Sequence, residues 1–232
     1  MFRFWCARAI VMMVTCCLLA GTASASSDFS FTGSFAVDDS LQYFEFVPAS
    51  PNVVIQTWGY GGTGAGSNAA GNIIPAGGFD PILSLFDSTG GVLSPLNVLV
   101  ETTYPSGACP PTGVTDPVTG LCYDVYLSET TLTPGATYLV VLSQNDNAPN
   151  LTTLGDGFSE VGNGNFTGSI FGCPNGQFCD NFANNRTGDW AVDITGATSA
   201  LELPEPGTAL MVFTALGGAL LLRRRHKAKG AK

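Results

Sequence analysis

The central part of this chain has almost no positive charge. Between Ser26 and Glu202 there is no lysine and no histidine, and Arg186 is the single arginine. One cation stands there against seventeen Asp and Glu, a net charge near −16. A surface with nothing to neutralise phosphate is not a nucleic-acid binder, and anionic polymers in general are poor partners. Without His or Lys, Ser/His/Asp, Cys/His and Schiff-base chemistries lack their base or nucleophile. The one histidine, His226, lies in the C-terminal tail. Helical periodicity is missing before Thr208, and so is the tight Cys-x-x-Cys spacing of a zinc site. Gly62-Thr63-Gly64-Ala65-Gly66 has no Lys after it, so it is not a phosphate loop.

What is present begins at the two ends. Arg3 and Arg8 precede an apolar run from Ala9 to Ala20, and Ala23-Ser24-Ala25 follows with small residues at the right spacing. This reads as an export signal, residues 1–25, cut between Ala25 and Ser26. Cys16 and Cys17 follow Thr15 and Cys16, the wrong neighbours for a lipidation site. At the other end Pro204-Glu205-Pro206 leads into an uncharged apolar run, Thr208 to Leu222, closed by Arg223-Arg224-Arg225. The run is long enough for a helix of about 22 Å, and the arginines are a stop that keeps a terminus on the cytoplasmic side. A buried helix with a basic tip is the plainer alternative, but a charged cluster of this density belongs at a membrane face.

Residues 203–232 closely resemble the PEP-CTERM sorting signal of Gram-negative bacteria, with the Pro-Glu-Pro, the short transmembrane helix and the basic tail in that order. The resemblance implies an exosortase as processing partner, acting near Pro204, Glu205 and Pro206. It also implies a precursor held in the inner membrane, then delivery to the cell envelope or to an extracellular matrix of exopolysaccharide.

Residues 26–202 form the expected ectodomain. Phe29, Phe31, Gly33 and Phe35 share one face of a first strand; Leu41 to Val47 and Asn52 to Trp58 follow as strands, the last rich in β-branched residues. Gly59 to Gly78 reads as a long flexible loop. Phe79 to Gly91 is a buried strand entered through Asp-Pro and left through glycines, and weaker strands follow at Val92-Leu93 and Val98 to Thr102. Tyr123 to Leu127, Tyr138 to Gln144, Asn165 to Phe171 and Trp190 to Thr195 complete the set. The expected class is all-β: an antiparallel, jelly-roll-like β-sandwich with a signal helix before it and one transmembrane helix after it. Of the pairings open to four cysteines, the local ones are expected, Cys109–Cys122 and Cys173–Cys179, each bracketing a turn-rich loop in an oxidising compartment.

The order Leu41-Gln42-Tyr43-Phe44-Glu45-Phe46, then Phe79-Asp80-Pro81-Ile82-Leu83-Ser84-Leu85-Phe86-Asp87, then Leu132 to Val141 resembles the bacterial pre-peptidase C-terminal domain. That family is a jelly-roll-like sandwich found beside secreted peptidases and on surface proteins. The Cys109–Cys122 loop and the lack of a peptidase domain depart from it.

Two readings of function remain. One is a non-enzymatic, adhesive or structural protein of the surface or biofilm matrix. The alternative is a carbohydrate-binding or carbohydrate-active domain that touches exopolysaccharide through Trp58, Tyr60 or Trp190. Paired carboxylates keep glycoside chemistry open, since it asks only for two acids at a set separation. Ca²⁺ is the one cofactor the composition suggests, with Asp80, Asp87 and Asp146 as candidate ligands; the competing reading is that Asp in loops forms turns.

Overall fold

The structure is a computed structural model that describes residues 27–88 and 90–204. The signal segment with Ala25 and Ser26, residues Glu205 and Pro206, the C-terminal apolar run and Arg223 to Arg225 all lie outside the described residues. Among the described residues no helix is long and apolar enough to cross a membrane.

The described residues are all-β and antiparallel, as their alternation predicts. Eight strands form one sheet: β1 (Ser27–Ser34), β2 (Gln42–Pro48), β3 (Val53–Thr57), β4 (Pro81–Asp87), β5 (Leu99–Thr103), β6 (Tyr126–Glu129), β7 (Tyr138–Gln144) and β8 (Asp189–Leu203). The order is β5-β4-β7-β2-β8-β3-β6, with β1 on the far side of β8. β8 is the corner. Its first half pairs with β1 and β3, its second half with β2. The change-over falls beside Gly196, whose φ of 85° is left-handed and where a Cβ would stand 2.6 Å from the Asn52 carbonyl. Glycine is therefore required at the corner.

The corner divides the sheet into two wings that enclose one core. Phe44, Phe46, Leu83, Leu85, Val140 and Leu142 enter it from one wing. Val53, Ile55, Leu127, Trp190, Val192 and Ile194 enter from the other. Along β2, β3, β4, β7 and the first half of β8 every second residue faces in, which is the period-two pattern of the sequence made physical. Phe29 and Phe31 pack onto this core as expected, and Phe35 closes it against Phe79, ring centroids 5.1 Å apart. A smaller cluster on the outer face joins Tyr43, Phe86, Leu139 and Val141 to Phe158 of the long loop after β7.

Four expectations are corrected. Asn165 to Phe171 is not a strand but the short helix α1 (Phe166–Phe171), ended by Gly172 in left-handed conformation. Its cause is tertiary: the buried Asp38 carboxylate accepts from the Thr167 amide and hydroxyl and from the Phe178 amide, and so anchors the first turn. A single 3-10 turn, Leu154–Asp156, adds the other helical piece. Val92-Leu93 is a turn, pinned by the Asn97 side chain to the carbonyls of Gly91 and Val92. The glycine-rich span 59–78 is ordered, not flexible: Tyr60 is wholly buried, and Thr63 and Ile74 bond reciprocally through Thr63 N, Ile74 O, Ile74 N and Thr63 Oγ1. At Gly61 a Cβ would lie 1.9 Å from the Val114 carbonyl, so its bare backbone lets two loops touch. Trp190 to Thr195 is the start of the fifteen-residue β8.

Candidate functional site

The three acids singled out for Ca²⁺ do not meet. Asp80 sits just before β4 and Asp87 is its last residue, roughly 23 Å away at the ~3.3 Å rise of a strand. Asp146 does lie near Asp80, since its charge helps to raise the Asp80 pKa. Among the described residues no group of three or more His, Cys, Asp or Glu could hold a metal ion. The aromatic candidates separate as well. Trp190 is in the core, edge-on to Phe44 with ring centroids 5.6 Å apart. Tyr60 is wholly buried. Only Trp58 reaches a groove.

Tyr60 belongs to a buried polar hub built on Arg186. The guanidinium lies 3.8 Å over the Tyr60 ring. Its Nη2 donates to the Tyr60 carbonyl at 2.8 Å and to Asp116 Oδ2 at 3.3 Å, and Nε donates to the Gly78 carbonyl at 2.9 Å. Asp116 also accepts the amides of Val118 and Thr119. These donors and Arg186 hold its carboxyl below the usual range despite burial. Asp124 accepts from the Thr57 hydroxyl and the amides of Tyr60 and Gly61, yet burial drives its pKa up. Asp180 accepts the Tyr60 hydroxyl and the Asn184 amide. Asp80 differs from all of these: it is 1% exposed and neither carboxylate oxygen has a partner. Burial, then the charges of Asp180 and Asp146, push its pKa up to about 8.

The hub ties three segments together. Arg186 reaches the two ends of the glycine-rich span at Tyr60 and Gly78, and reaches the disulfide loop at Asp116. Both cystines are formed with the expected partners, Cys109–Cys122 and Cys173–Cys179. Cys109–Cys122 closes the disulfide loop, and Cys173–Cys179 lies directly before Asp180.

Two of those segments wall a groove of about 540 Å³ on the outer face of β8, β3 and β6. Its floor consists of outward residues: Val54, Gln56 and then Trp58 from β3 and its extension, Tyr126 from β6, and Asp193 and Thr195 from β8. Thr63 and residues 66–69 of the glycine-rich span make one wall, and Thr112 of the disulfide loop the other. Asp193 is the one carboxylate among the lining residues, and its oxygens are engaged. Oδ2 accepts Trp58 Nε1 at 2.7 Å and the Ala69 amide at 2.8 Å, while Oδ1 accepts the Ser30 hydroxyl. The indole and the Ser67–Ala69 wall are therefore held in place by one strand residue.

Two side-chain amides on the lining are half satisfied. Gln56 Oε1 accepts the Thr112 hydroxyl at 2.6 Å, and Asn68 Oδ1 accepts the Asn72 amide at 2.8 Å. These bonds orient both amides, and their nitrogens, Gln56 Nε2 and Asn68 Nδ2, have no acceptor. A buried donor without a partner costs about 1–3 kcal/mol. Apolar faces from Trp58, Tyr126 and Val54 beside unmet N–H donors suit a ligand with flat apolar surfaces edged by oxygen, which describes a sugar ring. The residues other than Trp58 are not evident in the sequence. The parity of β3 places Gln56 beside Trp58 on the outer face, but nothing in the chain order says that Tyr126, Asp193 and Asn68 join them. No protein-family model matches this chain and no curated protein matches it, so the reading of the groove rests on its own geometry.

Proposed function

We propose that this is an exported surface or matrix protein whose β-module binds polysaccharide through the groove on the outer face of β3, β6 and β8. The observation that carries this reading is the conjunction, in one concave site, of the Trp58 and Tyr126 rings with two oriented amides whose N–H groups await acceptors. Adhesion to the matrix follows from binding, and no catalytic group is needed for it. The terminal segments supply the address. Residues 1–25 direct export, residues 203–232 hold the precursor in the inner membrane, and an exosortase processes it near Pro204-Glu205-Pro206. The product passes to the envelope or the exopolysaccharide of a Gram-negative cell. Two cystines and a core domain with one cation support a life outside the cytoplasm. On this reading the two wings are the layers of a jelly-roll-like sandwich akin to the pre-peptidase C-terminal domain.

Affinity electrophoresis in gels containing the host's own exopolysaccharide tests the binding. Wild-type protein is retarded, and Tyr126→Ala, which removes a half-buried ring from the groove, is retarded less; equal mobility with and without polysaccharide refutes the proposal. Trp190→Ala is not a binding control, because that ring belongs to the core. The mass of the mature protein from its native host tests the sorting: a C-terminus near Pro204 is expected, and an intact tail through Lys232 argues against processing.

A further inference from the structure

Resting on the glycan reading of the groove, we infer that its ligand is an uncharged sugar polymer, recognised through hydroxyl or acetamido oxygens that accept from Gln56 Nε2 and Asn68 Nδ2. The charge of the site excludes the acidic class. No Lys or Arg lines the groove, Asp193 lies on its floor, and Arg186 is buried against the Tyr60 ring with Nε and Nη2 engaged. The surrounding domain carries a net charge near −16. A polyuronate or sulfated chain would therefore enter a negative field with no counter-cation, a repulsion felt over roughly 8–10 Å at moderate salt.

The polar groups still free to bind point the same way. An amide N–H₂ donates and does not accept, so its partner is an oxygen lone pair. The orientation of each amide is set by the bond to its own oxygen, from Thr112 in one case and from Asn72 in the other. Each nitrogen is thus held as a donor before any ligand arrives. Neither nitrogen meets bulk water in the free protein, so a sugar oxygen that accepts from them replaces whatever lining covers each one. The wall carrying Asn68 is glycine-rich. It is anchored to the strand face through the Ala69 amide on Asp193 and the Ala70 amide on Ser30 Oγ. Neutral sugars meet both demands, having acceptors all round the ring and no charge to bring into the field.

The test is titration calorimetry of the full chain in detergent against a neutral glucan, a neutral N-acetylated oligosaccharide and a polyuronate, at low and at high salt. The expected result is binding of at least one neutral polymer with little salt dependence, and none of the polyuronate. Gln56→Leu keeps the strand and the volume but removes the donor, and should weaken the neutral ligand about tenfold, the worth of one hydrogen bond of ~1.4 kcal/mol. Its melting midpoint should change little, since it deletes a buried donor that has no partner together with the acceptor of the Thr112 hydroxyl, which solvent can replace because Thr112 is exposed. Polyuronate binding as tight as neutral binding overturns the inference and leaves the glycan reading standing. So does neutral binding that Gln56→Leu leaves unchanged. Failure of all three polymers removes the glycan reading and this inference together.

Discussion

Arg186 is the residue on which the interior depends. It is the one cation among the seventeen acids of residues 26–202, and the fold places it at 6% exposure between the glycine-rich span and the disulfide loop. Replacing it with Met removes the buried counter-charge of Asp116 and a donor to the Tyr60 and Gly78 carbonyls, so Arg186→Met should cost about 3–5 kcal/mol in denaturant unfolding. A loss under 1 kcal/mol would mean that the hub is not structural. Asp80 poses the opposite case. Its folded pKa of about 8 stands above the ~3.9 of an unfolded Asp. The native state therefore keeps a proton that the unfolded chain gives up. The stability tied to that proton is complete below about pH 4, falls as pH climbs, and is gone above about pH 8. Asp80→Asn, which cannot ionise, should match wild type in thermal melts near pH 4 and exceed it near pH 9, by on the order of 2–5 kcal/mol. Parallel pH profiles for the two proteins would contradict this. That Arg186 is alone could be read from composition, but its partners Tyr60, Gly78 and Asp116 are 126, 108 and 70 positions away in the chain. No local pattern encodes contacts of that range.

Among the elements, the strands with clear alternation were legible: β1, β2, β3, β4 and β7 fall where the apolar period puts them. The elements that tertiary contacts impose were not. α1 forms because Asp38 receives its first turn, and the glycine-rich span is ordered because Asp124 and Arg186 bind its backbone; glycine content alone reads as flexibility. β8 runs past its visible aromatic start because Gly196 lets one strand serve both wings. At the ends of the sheet path, Glu101 of β5 lies close enough to Glu129 of β6 to act on its titration. Burial first, and then Glu101, raises the pKa of Glu129. With the folded value raised, this contact favours folding at low pH and is lost as pH rises through the titration of the pair. Glu129→Gln keeps a donor for Glu101 and should raise the melting midpoint at pH 8 by a few degrees, roughly 2–4 °C per kcal/mol for a domain of this size, with a smaller gain at pH 5. A gain of equal size at both pH values would separate the seam from proton uptake. The Cys109–Cys122 cystine holds the Thr112 wall in place. Its loop, with a sequence separation of 13, should contribute about 3 kcal/mol. Removing it as the double Ser variant should lower stability by that order and weaken glycan retention as well. Unchanged retention would detach the wall from the site.

At the scale of the whole molecule, the proposed destination rests on the two ends of the chain and the proposed binding on its middle. The proposed destination draws only on hydrophobic runs and basic clusters, local features that the sequence displays in order. The groove was the less legible part, because it assembles alternate residues from three strands and two loops whose adjacency exists only after β8 turns the corner. The two tryptophans among the described residues illustrate the difference. Trp58 and Trp190 read alike in sequence and are similarly buried, at 7% and 6% exposure, yet Trp58 lines the groove with its indole N–H on Asp193 while Trp190 packs in the core. That contrast provides the most direct measurement. In ¹H–¹⁵N spectra of the full chain titrated with a neutral matrix polysaccharide, the Trp58 indole and the Gln56 and Asn68 side-chain amides should shift together, while the Trp190 indole stays fixed. Shifts confined to other faces of the molecule, or a Trp58 signal that does not move at saturating polysaccharide, would contradict the claim that this groove binds the matrix.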